Sequence, residues 1–346
     1  MINEKGGVAV AGKSYTLDLK LLDNKSDSKL NLSQHERLVT RTKVNFLLGP
    51  YSSTDVLAAA GVAEKNRVPM VQAGGASTRI FSRGYKYVFG TLPAASDYFR
   101  STIEMMDRLA PRPRTVALIS GDDSFDMTVA EGTIGYLKDA GLEVVLHQQY
   151  SERSANFYNI LTLIKARAPD VILWSGHESG AISFIRESKL RKIGAKLLAA
   201  FTVGVPNSNF RSTLGKDANY AFGMTPWRPS ERLKDRWFGD ADQFASAFEK
   251  KFGYPPGYQA AAAAAAVEAV TVAVETAGTI APEKVRDALA NVDFDSLYGR
   301  IRFGEHGQIM LPQTVVQIQD GKVVEVFTDR LVNEPIYPVP TWEQRS

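Results

Sequence analysis

The sequence predicts an α/β protein with mainly parallel sheets, and three observations carry that prediction. Short apolar runs alternate with helix-length stretches along most of the chain, the pattern of βαβ units. Two of these runs open into loops of glycine and small hydroxyl residues, Gly49-Pro50-Tyr51-Ser52-Ser53-Thr54 and Ala73-Gly74-Gly75-Ala76-Ser77-Thr78. In parallel sheets such loops lie at the carboxyl ends of strands, where small ligands are held. The length, 346 residues, exceeds one ordinary core and implies two domains of common size.

Taken in order, the opening Met1-Ile2-Asn3-Glu4-Lys5-Gly6-Gly7 reads as the last turn of a helix with its glycine stop. No signal peptide is legible. Residues 15–23 alternate polar and apolar side chains as a strand does. A polar loop over 24–28 leads to a helix reaching about residue 42, followed by strands at 44–48 and 68–72. The helix between them, through 56–66, is expected to be capped by Ser53 or Thr54. Its free N–H groups would suit a carboxylate. A strand at 87–91 and a helix over 93–109 follow.

A second α/β series starts after the Pro111-Arg112-Pro113 turn, with strands at 115–120, 142–149, 170–174 and 196–201 and intervening helices. Beyond Trp227 the character shifts to long helices over 238–252 and 258–276, the latter with seven consecutive alanines from Ala260 to Ala266. Alanine packs helices closely and has the best helix propensity, so this reads as a buried helix. Pro282 marks a helix start. Residues 314–318 and 323–327 flank Asp320-Gly321 as a β-hairpin.

Composition excludes several functions. The formal charge is +3, with 41 basic and 38 acidic residues interspersed, so no basic stripe points to nucleic acid. No uninterrupted apolar run approaches the roughly 20 residues that span a bilayer. The count of zero cysteines excludes disulfides, thiolate metal sites and a cysteine nucleophile. In Gly176-His177-Glu178-Ser179-Gly180 the serine falls one place too late for a nucleophile elbow. His35, His147, His177 and His306 do not recur at metal-ligand spacing. No enzyme, cofactor or metal site is expected.

Several stretches, read collinearly, resemble a known family. They include Leu48-Gly49-Pro50-Tyr51-Ser52-Ser53, Val68-Pro69-Met70-Val71-Gln72-Ala73-Gly74, Ala130-Glu131-Gly132 and Pro169-Asp170-Val171-Ile172. Tyr254-Pro255-Pro256-Gly257-Tyr258 and Gly299-Arg300-Ile301-Arg302-Phe303 continue the series. The chain is similar to type I periplasmic solute-binding proteins of ABC importers, the leucine/isoleucine/valine-binding group. The resemblance implies two Rossmann-like lobes, 1–92 with 225–313 and 93–224 with 314–346, joined by three crossovers and closing on a ligand like a clamshell. It implies a periplasmic, monomeric protein that serves a membrane permease without inserting into the bilayer. Members of the group begin with a strand and helix that this chain does not show, so the first lobe is expected to lack its N-terminal strand and helix.

Site residues follow from the same resemblance. Ser52 and Ser53 correspond to a carboxylate grip, and Gly74, Gly75, Ala76 and Ser77 to a second gripping loop. Phe125 and His177 fall where side chains cover the ligand, although His177 could instead cap the helix after it. Tyr51 at a strand end, Trp227 at a crossover and Gln259 at the head of the alanine helix are further candidates. Amino-acid binders of the group carry an acidic residue on the loop after the 196–201 strand, whereas here that loop reads Thr202-Val203-Gly204-Val205. A buried ammonium without an anion is disfavoured. The expected ligand, which Thr202 and Val203 would also touch, is therefore an aromatic or other hydrophobic carboxylate, or an amide. With Glu178 or Asp123 as substitute anion, branched-chain amino acid binding stays open, as does a cytoplasmic amide-sensing regulator of this fold.

Overall fold

The computed structural model describes residues 1–152 and 156–345. Its chain divides into two compact units, Met1–Ala94 with Trp227–Leu311 and Ala95–Pro226 with Pro312–Ser346.

The second unit is built on a seven-stranded sheet. From one edge the strands are Glu143–Tyr150, Thr115–Gly121, Val171–Ser175, Leu198–Phe201, Phe222–Thr225, Thr314–Gln319 and Lys322–Phe327. The first five run parallel, and the C-terminal hairpin adds two antiparallel strands. Val171–Ser175 is buried at every position, as a central parallel strand must be when both its faces are covered. Trp174 packs there against Tyr150, Phe157, Phe184 and Phe201. The hairpin turns at Asp320 and Gly321, with φ of 48° and 74°, which is why an Asp-Gly pair is found there.

In the first unit the sheet is short. Met70–Gln72 pairs in parallel with Val88–Gly90, and Leu47 forms a single parallel bridge to Met70. The alanine run lies in the Tyr258–Ala277 helix, with Ala261, Ala262, Ala265, Ala266, Ala269 and Ala273 buried. That helix packs on the Pro282–Leu289 helix and on the strands Val8–Val10 and Met70–Gln72. Alanine at each third or fourth position lets the backbones approach, and Thr91 Oγ1 donates to the Ala262 carbonyl at 3.0 Å. By length and composition this 20-residue helix would suffice to cross a membrane. Its buried alanine face and its buried Glu268 fit a place in this core.

Several expectations differ from what is observed. The strand expected over 15–23 is absent: only Lys13–Tyr15 is strand, paired with Val8–Val10. Leu19 and Leu21 are 68% and 85% exposed; alternation alone makes no strand without a ladder partner. The 44–48 strand reduces to the Leu47 bridge. The 93–109 helix breaks into a 3-10 turn, Ala95–Asp97, and a helix, Arg100–Met106. That turn packs directly on Gly132, where a Cβ would lie 2.2 Å from the Ser96 carbonyl oxygen. The Ser208–Leu214 helix, the Phe222–Thr225 strand and the Asp293–Ser296/Gly299–Arg302 hairpin are additional elements.

Candidate functional site

On the first unit the two glycine–hydroxyl loops are joined by one side chain. Ser52, not Ser53 or Thr54, caps the Ser53–Asn66 helix: at φ 78° its Oγ accepts from Asp55 N–H. Ser53 is thereby turned inward, 1% exposed. Its Oγ accepts from Ala76 N–H and Ser77 N–H, both at 3.1 Å. The loops also meet through Ser52 N–H and the Gly74 carbonyl at 3.1 Å. Gly74 permits this approach, because a Cβ there would sit 2.1 Å from the Pro50 oxygen. At Gly75 a Cβ would strike Ile80 and Val56. Ser77 caps the next helical turn through Arg79 N–H.

Two glutamines that sequence reasoning passed over shape this region. Gln72 Oε1 accepts from Gly74 N–H and Gly75 N–H while its Nε2 donates to the Gly75 carbonyl. Gln308 Nε2 donates to the Ala76 and Leu92 carbonyls. A lone glutamine carries no local signal, and only the fold brings Gln308 here. Tyr51 is half exposed, whereas Trp227 is buried, donating its indole N–H to the Leu297 carbonyl at 2.8 Å and packing edge-on against Phe244. Gln259 lies in the first turn of the alanine helix.

The second unit carries its own group at the carboxyl ends of Thr115–Gly121 and Val171–Ser175. Phe125, in the first turn of the Ser124–Asp139 helix, packs edge-on against Tyr98 at 5.1 Å and lies 6.0 Å from the His177 ring. His177 does not cap the Glu178–Arg191 helix with its side chain; Nε2 instead pairs with Asp123 Oδ2 at 2.8 Å. Asp123 Oδ1 accepts from Asp126 N–H, and Asp126 Oδ1 accepts from Ser175 Oγ–H at 2.5 Å. Thr202 Oγ1 exchanges hydrogen bonds with the backbone of Gly176, and Val203 is buried beside it. Glu178 is engaged by the amides of Asn207 and Asn209.

The electrostatics follow from burial and proximity. Burial opposes charge on His177, but the Asp123 hydrogen bond and the Asp126, Asp123 and Glu152 charges outweigh it and hold the imidazole at about 9. Burial likewise works to raise Asp123, yet His177 and the Asp126 and Phe125 N–H groups keep it below its ordinary value. Burial, then the Asp123 charge, pushes Asp126 well above the usual carboxylate range. Burial and the Asp126 and Glu152 charges also raise Tyr150, whose O–H donates to Glu152 at 2.6 Å. At neutral pH His177 is therefore charged and paired with Asp123, while burial and the Asp123 charge favour the neutral form of Asp126.

Two α/β units with glycine–hydroxyl and aromatic loops at strand ends define a small-molecule binding fold. A family model described as Periplasmic binding protein matches residues 1–322, and the chain belongs to that family. The family binds solutes and is not one of enzymes. The chain is 25% identical to the Leu/Ile/Val-binding protein homolog 7 of Brucella abortus (strain 2308), covering 95% of this chain and 84% of that protein. It is similar in fold to the branched-chain amino acid transporter substrate binding protein of Streptococcus pneumoniae in complex with isoleucine. There the identity is 22% and the TM-score 0.78, over 93% of this chain and 88% of that one. A solute binding protein of an ABC transporter from R. palustris, in complex with benzoate, is 17% identical with a TM-score of 0.80, covering 97% and 91%.

Proposed function

We propose that this chain is the periplasmic solute-binding component of an ABC importer, delivering a small hydrophobic carboxylate, with an aromatic acid preferred, to a membrane permease. The observation that carries the ligand class is the hydrogen bonding of Ser53. Its oxygen accepts from two backbone N–H groups, and its own proton is given to no other described residue. A hydroxyl polarised in this way is a donor suited to a carboxylate. On this reading Ser52, Ser53 and the Gly74–Gly75–Ala76–Ser77 loop hold the carboxylate. Phe125, Tyr51 and His177 supply ring contacts, and Thr202, Val203, Trp227 and Gln259 support them.

A branched-chain amino acid is the second reading, favoured by the relatives' names. Against it stand the anions that would have to hold an ammonium: Glu178 is engaged by two asparagines and Asp123 by His177. A thermal-shift screen of leucine, isoleucine, valine, aliphatic amides and benzoate-like acids tests the choice. At a hundredfold excess over Kd a ligand stabilises by about 2.7 kcal/mol, a rise of roughly 5–10 °C in Tm for a unit of this size. Aromatic acids are expected to give that shift. Shifts with leucine and none with the acids would overturn the preference.

A further inference from the structure

The Asp123–His177 group has a property that solute binding does not use. Three carboxylates converge at the ends of two neighbouring parallel strands. Asp123 and Asp126 lie at the start of the Ser124–Asp139 helix, and Glu152 follows the Glu143–Tyr150 strand. Gly121 leaves room for them: a Cβ there would lie 2.3 Å from Asp126 Oδ2 and 2.7 Å from Glu152 Oε1. Among the described residues, His177 is the one basic group that pairs with this cluster.

Asp126 is 0% exposed. Its Oδ1 is taken by Ser175, yet its Oδ2 is buried with no hydrogen-bond partner among the described residues. A buried carboxylate oxygen is normally satisfied, and one that is not calls for a specific account. Among the described residues nothing fills that place, which leaves Oδ2 open to a ligand. Asp123, Asp126 and His177 each offer one ligand atom, and these atoms lie within 4.8 Å of one another.

We propose that Asp123, Asp126 and His177 form a site for a divalent first-row transition ion, with Glu152 as a further carboxylate at its edge. The imidazole nitrogen beside carboxylate oxygens selects such an ion over calcium or magnesium, which prefer oxygen alone. Zinc bonds to nitrogen and oxygen run about 2.0–2.2 Å, which places tetrahedral ligand atoms about 3.4 Å apart. The ligand atoms, within 4.8 Å of one another here, would draw in to that spacing around a bound ion. The ion replaces the proton between His177 Nε2 and Asp123 Oδ2, Asp126 binds it as the carboxylate, and the protons displaced from both places leave to solvent. Ser175, donating to Asp126 Oδ1, and Tyr150, donating to Glu152, orient the carboxylates from behind. A bound ion would fasten the start of the Ser124–Asp139 helix to the start of the Glu178–Arg191 helix, and so fix the loops that carry Phe125 and His177.

The test uses the full chain, stripped with EDTA, and zinc alone, so its outcome does not depend on the transport reading. Zinc is titrated calorimetrically, and metal retained after gel filtration is counted by mass spectrometry. One zinc per chain is expected. Asp126→Asn and His177→Ala should each weaken binding about tenfold or more, and Ser175→Ala by a smaller factor. Asp123→Asn, further from the core, gives the same reading should Asp126→Asn fail to fold by circular dichroism. No stoichiometric zinc on the unaltered chain, or equal zinc on His177→Ala (which would place the metal on His35, His147 or His306), would overturn the proposal.

Discussion

Replacing Ser53 with alanine probes how the two loops of the first unit are held together. The hydroxyl accepts from Ala76 N–H and Ser77 N–H at 3.1 Å each, in a site that is 1% exposed. Alanine removes the acceptor that both buried donors use, at about 1–3 kcal/mol apiece before relaxation. Allowing for partial relaxation, the expected loss is about 2–4 kcal/mol, or roughly 5–15 °C in Tm for a unit of this size. Ser52→Ala removes only a helix cap and should cost about 1 kcal/mol. Differential scanning calorimetry of the ligand-free chain, with urea denaturation as a second measure, distinguishes the two. A loss for Ser53→Ala below about 0.5 kcal/mol, the size of an ordinary surface change, would refute the joint between the loops.

Gly74→Ala should part the loops, since the new methyl would lie 2.1 Å from the Pro50 oxygen; a loss of about 1–3 kcal/mol and weakened ligand binding are expected by denaturation and calorimetry. Ala265→Leu, on the buried face of the alanine helix, should cost a similar amount by overpacking, read as a lowered urea midpoint. Glu268, in the same helix, is buried beside Asp235, and burial first, then the Asp235 charge, raises it from 4.5 to about 10. Between those values the folded chain keeps a proton that the unfolded chain has lost, so stability falls as pH rises, with a slope approaching about 1.4 kcal/mol per pH unit. Glu268→Gln should flatten that slope between pH 6 and 8 in urea titrations; parallel losses in both proteins would contradict it.

The parts of this fold that were legible in the sequence are those with a local cause. Asp320-Gly321 announces its hairpin because both positions need positive φ, and the buried strand around Ile172 and Trp174 reads as an apolar run because both its faces are covered. Residues 16–22 misled because alternation shows which faces a strand would have, while a ladder partner decides whether it forms. The helix cap shifted from Ser53 to Ser52 because the two serines are locally equivalent, and the choice is made by Ala76 and Ser77 from the other loop. The Asp123–Asp126–His177 group was illegible for a similar reason. His177 and Asp123 lie 54 positions apart, and only the parallel pairing of Thr115–Gly121 with Val171–Ser175 brings them together.

The central claim is that this chain captures a small hydrophobic carboxylate through the donors around Ser53. Isothermal titration of the full chain with benzoate and, separately, with leucine tests it most directly. A benzoate-like acid should bind with Kd in the micromolar range or tighter, about 8 kcal/mol, and lose that affinity in Ser53→Ala refolded to a native spectrum. Saturable binding of leucine with no heat from any aromatic acid would contradict it.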